Sequence, residues 1–112
     1  MKSLKLLAAG LALSLTTATF AKAELSDILS SGTVKIAIPE NFAPFGSLSM
    51  EGEYEGYDVD VAKLIASDLG VELELVPVTS KQRIPFLETD KVDLVIATMG
   101  ANPGRAKSIW FS

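Results

Sequence analysis

The chain has 112 residues, 14 acidic and 10 basic side chains, a formal net charge of −4, and neither histidine nor cysteine. An acidic balance argues against nucleic acid and anionic membrane surfaces as partners. Without histidine or cysteine, the chain cannot build a Ser-His-Asp triad, a Cys-His pair or a thiolate metal site, so we expect no metal and no cofactor.

The beginning of the chain has the pattern of a secretory signal peptide. Two lysines precede an almost wholly apolar run, residues 6–15, and a small-x-small sequence ends at Ala23. This order predicts a signal peptide over residues 1–23 with cleavage before Glu24, which makes residues 24–112 the mature, secreted part. The apolar run is too short for a spanning helix, so a retained membrane anchor is the weaker alternative.

The first half of the remaining chain predicts a helix, a strand and a second helix. Residues 25–31 favour a short helix, and residues 33–38 (TVKIAI) form a β-branched, apolar strand. Residues 40–55 are a long polar connection. The segment 58–69 has apolar residues at helical spacing, and Asp58 is a suitable N-cap for that helix.

The second half continues the alternation of strands and helices. Residues 71–76 (VELELV) alternate like a strand with one exposed face, and residues 81–89 predict a short helix. Residues 92–97 (VDLVIA) are nearly all apolar, which favours a strand at the centre of a sheet, covered on both faces. A helical turn over residues 102–107 follows, and residues 109–111 can start another strand.

This order of elements predicts the fold class. Strands that alternate with helices indicate an α/β fold, a three-layer parallel sheet with helices on both faces and right-handed crossovers. Ligands of such sheets bind beyond the carboxyl ends of the strands. We therefore expect a binding site at the loops that follow Ile38, Val76 and Ala97.

The third of these loops carries the clearest candidate for a binding site. It leads into a helix whose N-cap is Asn102, and Arg105 lies in the first turn, where the helix dipole disfavours a cation. Backbone N–H groups, the Thr98 hydroxyl, the close approach allowed by Gly100 and the Arg105 guanidinium can together hold a small carboxylate. The spacing supports equally well an alternative in which Arg105 pairs with an acid of the chain and the glycines only shape a turn.

The other two loops hold further candidates. Phe42 in the first loop either caps the core or forms an aromatic wall for a ligand. Ser80 and Arg83 lie one turn apart at a helix start, and Arg83 is either solvated or shares an anion site with the arginine of the third loop. A catalytic role is open to Asp58 and Asp60, but capping and the helix dipole account for both without chemistry.

Three stretches of the sequence together resemble one known family. They read GTVKIAIPENFAPFG, EGYDVDVAKLIASDLGVELELVPVTSKQRIPFLETDKVDLVIATM and NPGRAKSIWFS, and they cover residues 32–112. They are similar to the periplasmic solute-binding proteins of ABC-type polar amino-acid transporters, the bacterial extracellular solute-binding proteins of family 3. The resemblance implies the type II periplasmic-binding-protein fold, in which two α/β lobes close on one amino acid.

The resemblance also implies an organisation and a set of partners. Residues 24–112 would be an incomplete N-terminal lobe, a fragment that is not competent to bind on its own. The implied partners are an amino-acid ligand and the membrane permease subunits of an ABC transporter. The implied protein is a monomer in the periplasm and is not an enzyme.

In that family the candidate residues have roles. An arginine at the position of Arg105 holds the α-carboxylate of the ligand, helped by donors at the positions of Thr98 and Gly100. An aromatic residue at the position of Phe42 packs on the ligand.

Relatives that bind acidic amino acids also use a serine and an arginine in the second loop, here Ser80 and Arg83. The sequence departs from the family at Gly100, where many relatives have a hydroxyl donor, and at Trp110, where the family usually has aspartate. Pro39 stands where some relatives place a side chain that selects the ligand, so the resemblance does not name the amino acid. Two alternatives remain: an enzyme on the same fold, of the dehydratase or cell-wall lyase type, and the ligand-sensing domain of a membrane receptor.

Overall fold

The computed structural model of the protein describes residues 25–112. The helices of this part are α1 Leu25–Ser31, α2 Tyr57–Leu69, α3 Arg83–Glu88 and α4 Pro103–Ala106. The strands are β1 Thr33–Pro39, β2 Asn41–Phe42, β3 Gly46–Leu48, β4 Tyr54–Glu55, β5 Glu72–Val78 and β6 Leu94–Val95. The predicted signal peptide, residues 1–23, and its cleavage point between Ala23 and Glu24 lie outside the described residues.

A parallel sheet of three strands, in the order β5-β1-β6, forms the middle layer. β1 pairs with β5 along its whole length, from Thr33 opposite Glu72 to Pro39 opposite Val78. Its other edge pairs with β6 at only two positions, Ile36 opposite Leu94 and Ala37 opposite Val95. The predicted parallel α/β sheet is confirmed.

Two hydrophobic clusters show why helices cover both faces of this sheet. Alternate residues of β1 point to opposite faces. On one face Val34, Ile36 and Ile38 pack with residues of α1 and α2 such as Ile28 and Val59. On the other face the buried residues are Ala37, Val78 and Val92, and the partly buried Phe86 and Leu87 of α3 pack against them. The three-layer arrangement therefore follows from β1 being apolar on both of its faces.

The prediction of a central strand over residues 92–97 was wrong. Residues 92–97 form only the two-residue strand β6, which lies at the edge of the described sheet, whereas β1 occupies the centre. Val92 is buried, but Leu94 is 36% exposed. The apolar side chains of this run belong to a short strand and to the irregular backbone on either side of it. Continuous hydrophobicity therefore did not distinguish a long central strand from a short edge strand.

A small antiparallel sheet, in the order β2-β3-β4, lies in the segment that the sequence predicted as a polar connection. Asn41 pairs with Ser47, and Ser47 pairs in turn with Glu55. The strands are two or three residues long and mostly polar, so they have no hydrophobic alternation by which to detect them. Gly46 is required here, because a Cβ at this position would collide with the carbonyl oxygen of Pro39.

Several predicted boundaries differ from the structure. β5 continues through Pro77 to Val78, and this is tolerated because β5 is an edge strand of the described sheet, where a missing N–H costs little. α3 begins at Arg83 rather than at residue 81. Residues 109–111 form no strand within the described part, and the N–H of Ile109 instead donates to the carbonyl of Arg105 at 3.1 Å.

The prediction of Asp58 as an N-cap was also wrong. α2 begins at Tyr57, its N-cap is Gly56, and no side chain caps it. Asp58 is therefore the second residue of the helix, and it is buried. By contrast, Asn102 caps α4 as predicted, and its Oδ1 accepts a hydrogen bond from the Arg105 N–H at 2.8 Å.

Within residues 25–112, the helices are all too short or too polar to cross a membrane.

Candidate ligand-binding site

The carboxyl ends of β1 and β5 meet at one edge of the parallel sheet, as the fold class requires. Pro39 lies opposite Val78 in the β1–β5 register. Directly beyond, the Glu40 N–H donates to the Val78 carbonyl at 3.2 Å. The loops after β1 and β5 therefore start side by side, and the loop after β6 leaves the same edge because β6 is parallel to β1.

Arg105 is held at this edge by its own loop. Its Nη1 donates to the carbonyl oxygen of Gly100 at 2.7 Å, while its backbone N–H binds the Asn102 side chain. The two contacts attach both the backbone and the side chain of Arg105 to the loop that precedes α4. Among the residues that the structure describes, the side-chain partner of Arg105 is a carbonyl oxygen and not a carboxylate.

Arg83 reaches the same loop from the other side. It is the first residue of α3, and its Nη1 donates to the carbonyl oxygen of Thr98 at 3.0 Å. The carbonyl groups that the two arginines contact therefore lie two residues apart in one loop. The structure thus joins Arg83 to Thr98 and Arg105 to Gly100, and a ligand-binding role of these residues stays a prediction.

The carbonyl groups of Thr98 and Gly100 accept from the arginines. The predicted donors to a ligand are other groups of the same loop, the Thr98 hydroxyl and the backbone N–H groups, and their role stays a prediction. A Cβ at Gly100 would meet nothing within 4 Å among the described residues, so the space beside its backbone is open. The close approach of a ligand to this backbone stays a prediction.

Phe42 and Ser80 have local contacts in the structure. Phe42 is 49% exposed on β2, and its ring centroid lies 5.4 Å from that of Phe45. Ser80 is exposed in a turn in which the Thr79 N–H donates to the Gln82 side chain at 2.9 Å. Both residues flank the carboxyl edge, but the structure does not join them to the two arginines as it joins Thr98 and Gly100.

Asp58 is a functional candidate that the sequence reasoning had attributed to helix capping. Its side chain is 6% exposed, and its Oδ2 is buried without a hydrogen-bond partner. Burial raises the pKa of the Asp58 carboxyl above its usual value, and the positive charge of Arg83 opposes this rise. One signal was available: residues 58, 62 and 66 are four apart, so Asp58 lies on the buried stripe of α2 with Ala62 and Ala66.

The opposite edge of the sheet has a different character. A shallow depression of about 410 Å³ lies there, lined by the acidic side chains of Asp27, Glu74 and Asp93 and by Lys35 among others. A surface rich in carboxylates repels an anionic ligand. Within the described part of the chain, no group of three or more acidic residues is arranged to hold a metal ion. We therefore place the candidate site at the carboxyl edge.

Comparisons with known proteins agree on one family. The family model of the bacterial extracellular solute-binding proteins, family 3, matches residues 34–112. The cyclohexadienyl dehydratase of Pseudomonas aeruginosa is 31% identical over 91 residues, which cover 81% of this chain and 34% of the dehydratase. The ABC transporter glutamine-binding protein GlnH of Bacillus subtilis is 47% identical over 64 residues, which cover 54% of this chain and 23% of that protein.

Solved structures lead to the same family. The arginine-bound form of domain 1 from TmArgBP, a protein of T. maritima, superimposes with a TM-score of 0.69 at 40% identity and covers 72% of this chain and 64% of that domain. The chain spans about a third or less of the length of the curated relatives it matches. From the matched family model, these relatives and the three-layer parallel sheet, we conclude that the chain belongs to the bacterial extracellular solute-binding proteins of family 3 and forms part of lobe 1 of a type II periplasmic-binding-protein fold.

Proposed function

We propose that the protein binds a polar amino acid in the periplasm and delivers it to the membrane permease subunits of an ABC transporter. In this proposal Arg105 holds the α-carboxylate of the ligand, and the protein acts as a monomer that does not transform the ligand. The observation that carries the proposal is the position of the Arg105 guanidinium at the carboxyl edge of the sheet, held by the Gly100 carbonyl.

The chemistry of Arg105 supports this role. A guanidinium has five N–H donors, and a carbonyl contact through Nη1 leaves donors for a carboxylate. Arginine and a carboxylate form a bidentate, charge-assisted pair, which fixes the orientation of the ligand as well as its position. The open space beside Gly100 lets the carboxylate approach the loop backbone.

Arg83 extends the proposal to the side chain of the ligand. Its guanidinium contacts the same loop two residues before Gly100, so a second cation lies near the first. Two guanidinium groups favour an acidic side chain, or an uncharged polar one, over a cationic side chain such as that of the arginine held by domain 1 from TmArgBP. We propose that Phe42 and Ser80, which flank this edge, complete the contacts to the ligand.

A second candidate function is an enzyme on the same fold. It is favoured by the 31% identity to a cyclohexadienyl dehydratase and by Asp58, a buried carboxyl whose raised pKa is typical of acid–base groups. Turnover of a cyclohexadienyl substrate by the purified protein, lost in Asp58→Asn, would establish it. Binding of an amino acid without turnover of either compound would favour the solute-binding function.

Calorimetric titration with a panel of amino acids tests the leading proposal. Arg105→Ala removes the partner of a desolvated carboxylate, so we expect it to weaken binding by about 2–5 kcal/mol. Lys107→Ala is the matched control, because Lys107 is an exposed cation two residues further along the chain. Equal affinity of the wild-type and Arg105→Ala proteins would reject the role of Arg105.

A further inference from the structure

The start of α2 is capped by the backbone of a neighbouring segment and not by a side chain. Its N-cap residue is Gly56, and no side-chain hydrogen bond caps the helix. Instead the Tyr57 N–H donates to the Pro44 carbonyl at 3.0 Å. The Asp58 N–H donates to the Phe45 carbonyl at 2.8 Å. Two of the N–H groups that a helix leaves unpaired at its start are thus satisfied by the segment that follows β1.

This junction requires glycine at position 56. Gly56 has φ 131° and ψ 177°, a backbone conformation that is essentially restricted to glycine. A Cβ at this position would also collide with the Phe45 carbonyl group and would lie 2.8 Å from the Pro44 carbonyl oxygen. These are the two carbonyl groups that accept from α2. A side chain at position 56 would therefore push the helix start away from the segment after β1, and the two hydrogen bonds would lengthen or break.

Phe45 connects the junction to Phe42. The Phe45 N–H donates to the Phe42 carbonyl at 2.8 Å, and the two ring centroids lie 5.4 Å apart. Phe42 also lies opposite Gly46, the residue after Phe45, in the β2–β3 register. Phe42 is 49% exposed, so these contacts hold it while part of its surface stays accessible. The backbone and the ring of Phe42 are therefore held by a segment whose carbonyl groups α2 binds.

We infer that Gly56 is a positioning residue of the candidate site: it allows the first turn of α2 to bind the carbonyl groups of the segment after β1, and this attachment sets the position of the Phe42 ring. The inference rests on the proposed function, in which Phe42 contacts the ligand, and deepens it by naming what orients that contact. Gly56 acts through Phe42 and does not touch the ligand. Because dispersion contacts weaken over a fraction of an ångström, a displaced ring loses contact with a ligand although no charged group changes.

A double-mutant cycle tests whether Gly56 acts through Phe42. In calorimetric titrations of the purified protein with glutamine and glutamate, we expect Gly56→Ala to weaken binding about tenfold in the wild-type background and less than about twofold in a Phe42→Ala background. Gly70→Ala is the matched control, because Gly70 ends the same helix at a positive φ of 70° and a Cβ there would meet nothing within 4 Å. It strains the backbone and should lower stability without changing affinity. Equal losses of affinity in the two backgrounds, or in Gly56→Ala and Gly70→Ala, overturn the inference.

The Phe42 ring reports its own position without a ligand. The ring current of the neighbouring Phe45 shifts the NMR signals of the Phe42 ring protons, so Gly56→Ala should change these shifts and Gly70→Ala should not. Unchanged Phe42 ring shifts in folded Gly56→Ala protein overturn the inference, even if the protein binds amino acids. If the shifts change while the wild-type protein binds neither glutamine nor glutamate, the proposed function fails and the positioning of Phe42 by Gly56 stands.

The wild-type protein supplies the test if Gly56→Ala does not fold. Coupling between two sites is reciprocal, so a ligand that holds Phe42 should also stabilise the hydrogen bonds of the Tyr57 and Asp58 N–H groups. We expect saturation with glutamine to slow hydrogen exchange of these two amides about fivefold more than that of the Gly70 amide at the other end of α2. This added protection should disappear in Phe42→Ala. Equal slowing at both ends of α2 in the wild-type protein overturns the inference.

Discussion

Compared with the carboxyl edge of the parallel sheet, where Arg83 and Arg105 hold one loop, the amino edge gathers acidic side chains that include Asp27, Glu74 and Asp93. The contacts differ in kind as well as in charge. At the amino edge the Asp93 carboxylate accepts from the Lys35 N–H at 2.8 Å, and the Asp93 N–H donates to the Lys35 carbonyl, so this acid extends the pairing of β1 with the β6 segment. At the carboxyl edge the arginine side chains donate to backbone carbonyl groups and not to carboxylates.

The two edges therefore differ in the charged groups that they gather: two arginines contact the loop after β6, and three acids line the depression at the other edge. An anionic group is repelled from one edge and attracted to the other. Asp93 at the amino edge supports the pairing of β1, and we propose that the arginines at the carboxyl edge serve binding. Substitutions at the two edges should therefore have different consequences, and substitutions in β1, which joins them, should affect both.

The largest effect is expected at the centre of β1. Ile36 is fully buried and packs in the cluster formed with α2, so Ile36→Ala should lower the free energy of unfolding by about 2–5 kcal/mol. Urea denaturation followed by circular dichroism measures this loss. Leu64→Ala on α2 is the control, because Leu64 is 60% exposed and should change stability little. Similar losses of stability in Ile36→Ala and Leu64→Ala would contradict the central role of β1 in the fold.

Arg83→Met should separate ligands by charge. We expect it to weaken the binding of glutamate about tenfold, or ~1.4 kcal/mol, and to change the binding of glutamine much less, because only glutamate has a second negative charge. Competitive titration of the same protein preparation with both amino acids measures the two affinities. Equal losses of affinity for glutamate and glutamine would contradict the proposal that Arg83 favours an acidic side chain in the ligand.

Asp93→Ala should lower the stability of the fold without changing ligand affinity. Loss of the hydrogen bond from the Lys35 N–H should cost about 1 kcal/mol of stability, and ligand affinity should not change. Asp93→Asn keeps an acceptor oxygen and should recover most of this stability. A change in ligand affinity in Asp93→Ala would contradict the proposal that the amino edge contributes to stability and the carboxyl edge to binding.

The smallest effect is a pH dependence that comes from Asp58. Because burial raises its folded-state pKa above the unfolded value, the folded state holds more protons between the two pKa values, and the contribution of Asp58 to stability falls as pH rises through that interval. The free energy of unfolding of wild type, relative to that of Asp58→Asn, should therefore fall across the interval and stay constant above it. Denaturation curves at several acidic pH values measure this difference. A relative stability that rises with pH would contradict the sign of the shift.

The sequence predicted those parts of the fold in which one physical signal dominates. β1 combines β-branched residues with apolar character on both faces, and α2 combines apolar spacing with a glycine that ends the helix at a positive φ of 70°. The parallel order then located the carboxyl edge and the loop that joins Arg83 to Arg105. The N-cap at Asn102 was predictable because its side chain has a local partner.

Other parts depend on contacts that local patterns do not encode. The pairing of β6 stops after two residues although the apolar run continues, and Val92 of this run packs against α3 instead of pairing in the sheet. The antiparallel sheet β2-β3-β4 depends on the fit of Gly46 against Pro39. Asp58 was assigned to capping because an acid near a helix start is common there, and only the register of its buried stripe indicates otherwise.

The anchoring of the two guanidinium groups has a consequence for the thermodynamics of capture. Arginine side chains lose up to about 2 kcal/mol of rotamer entropy when they are immobilised. Here the Thr98 and Gly100 carbonyls, at 3.0 and 2.7 Å from Nη1 of the two arginines, impose part of that loss during folding. Under the proposed function, a ligand carboxylate would meet the remaining donors on side chains that are already ordered, and its binding would cost less side-chain entropy.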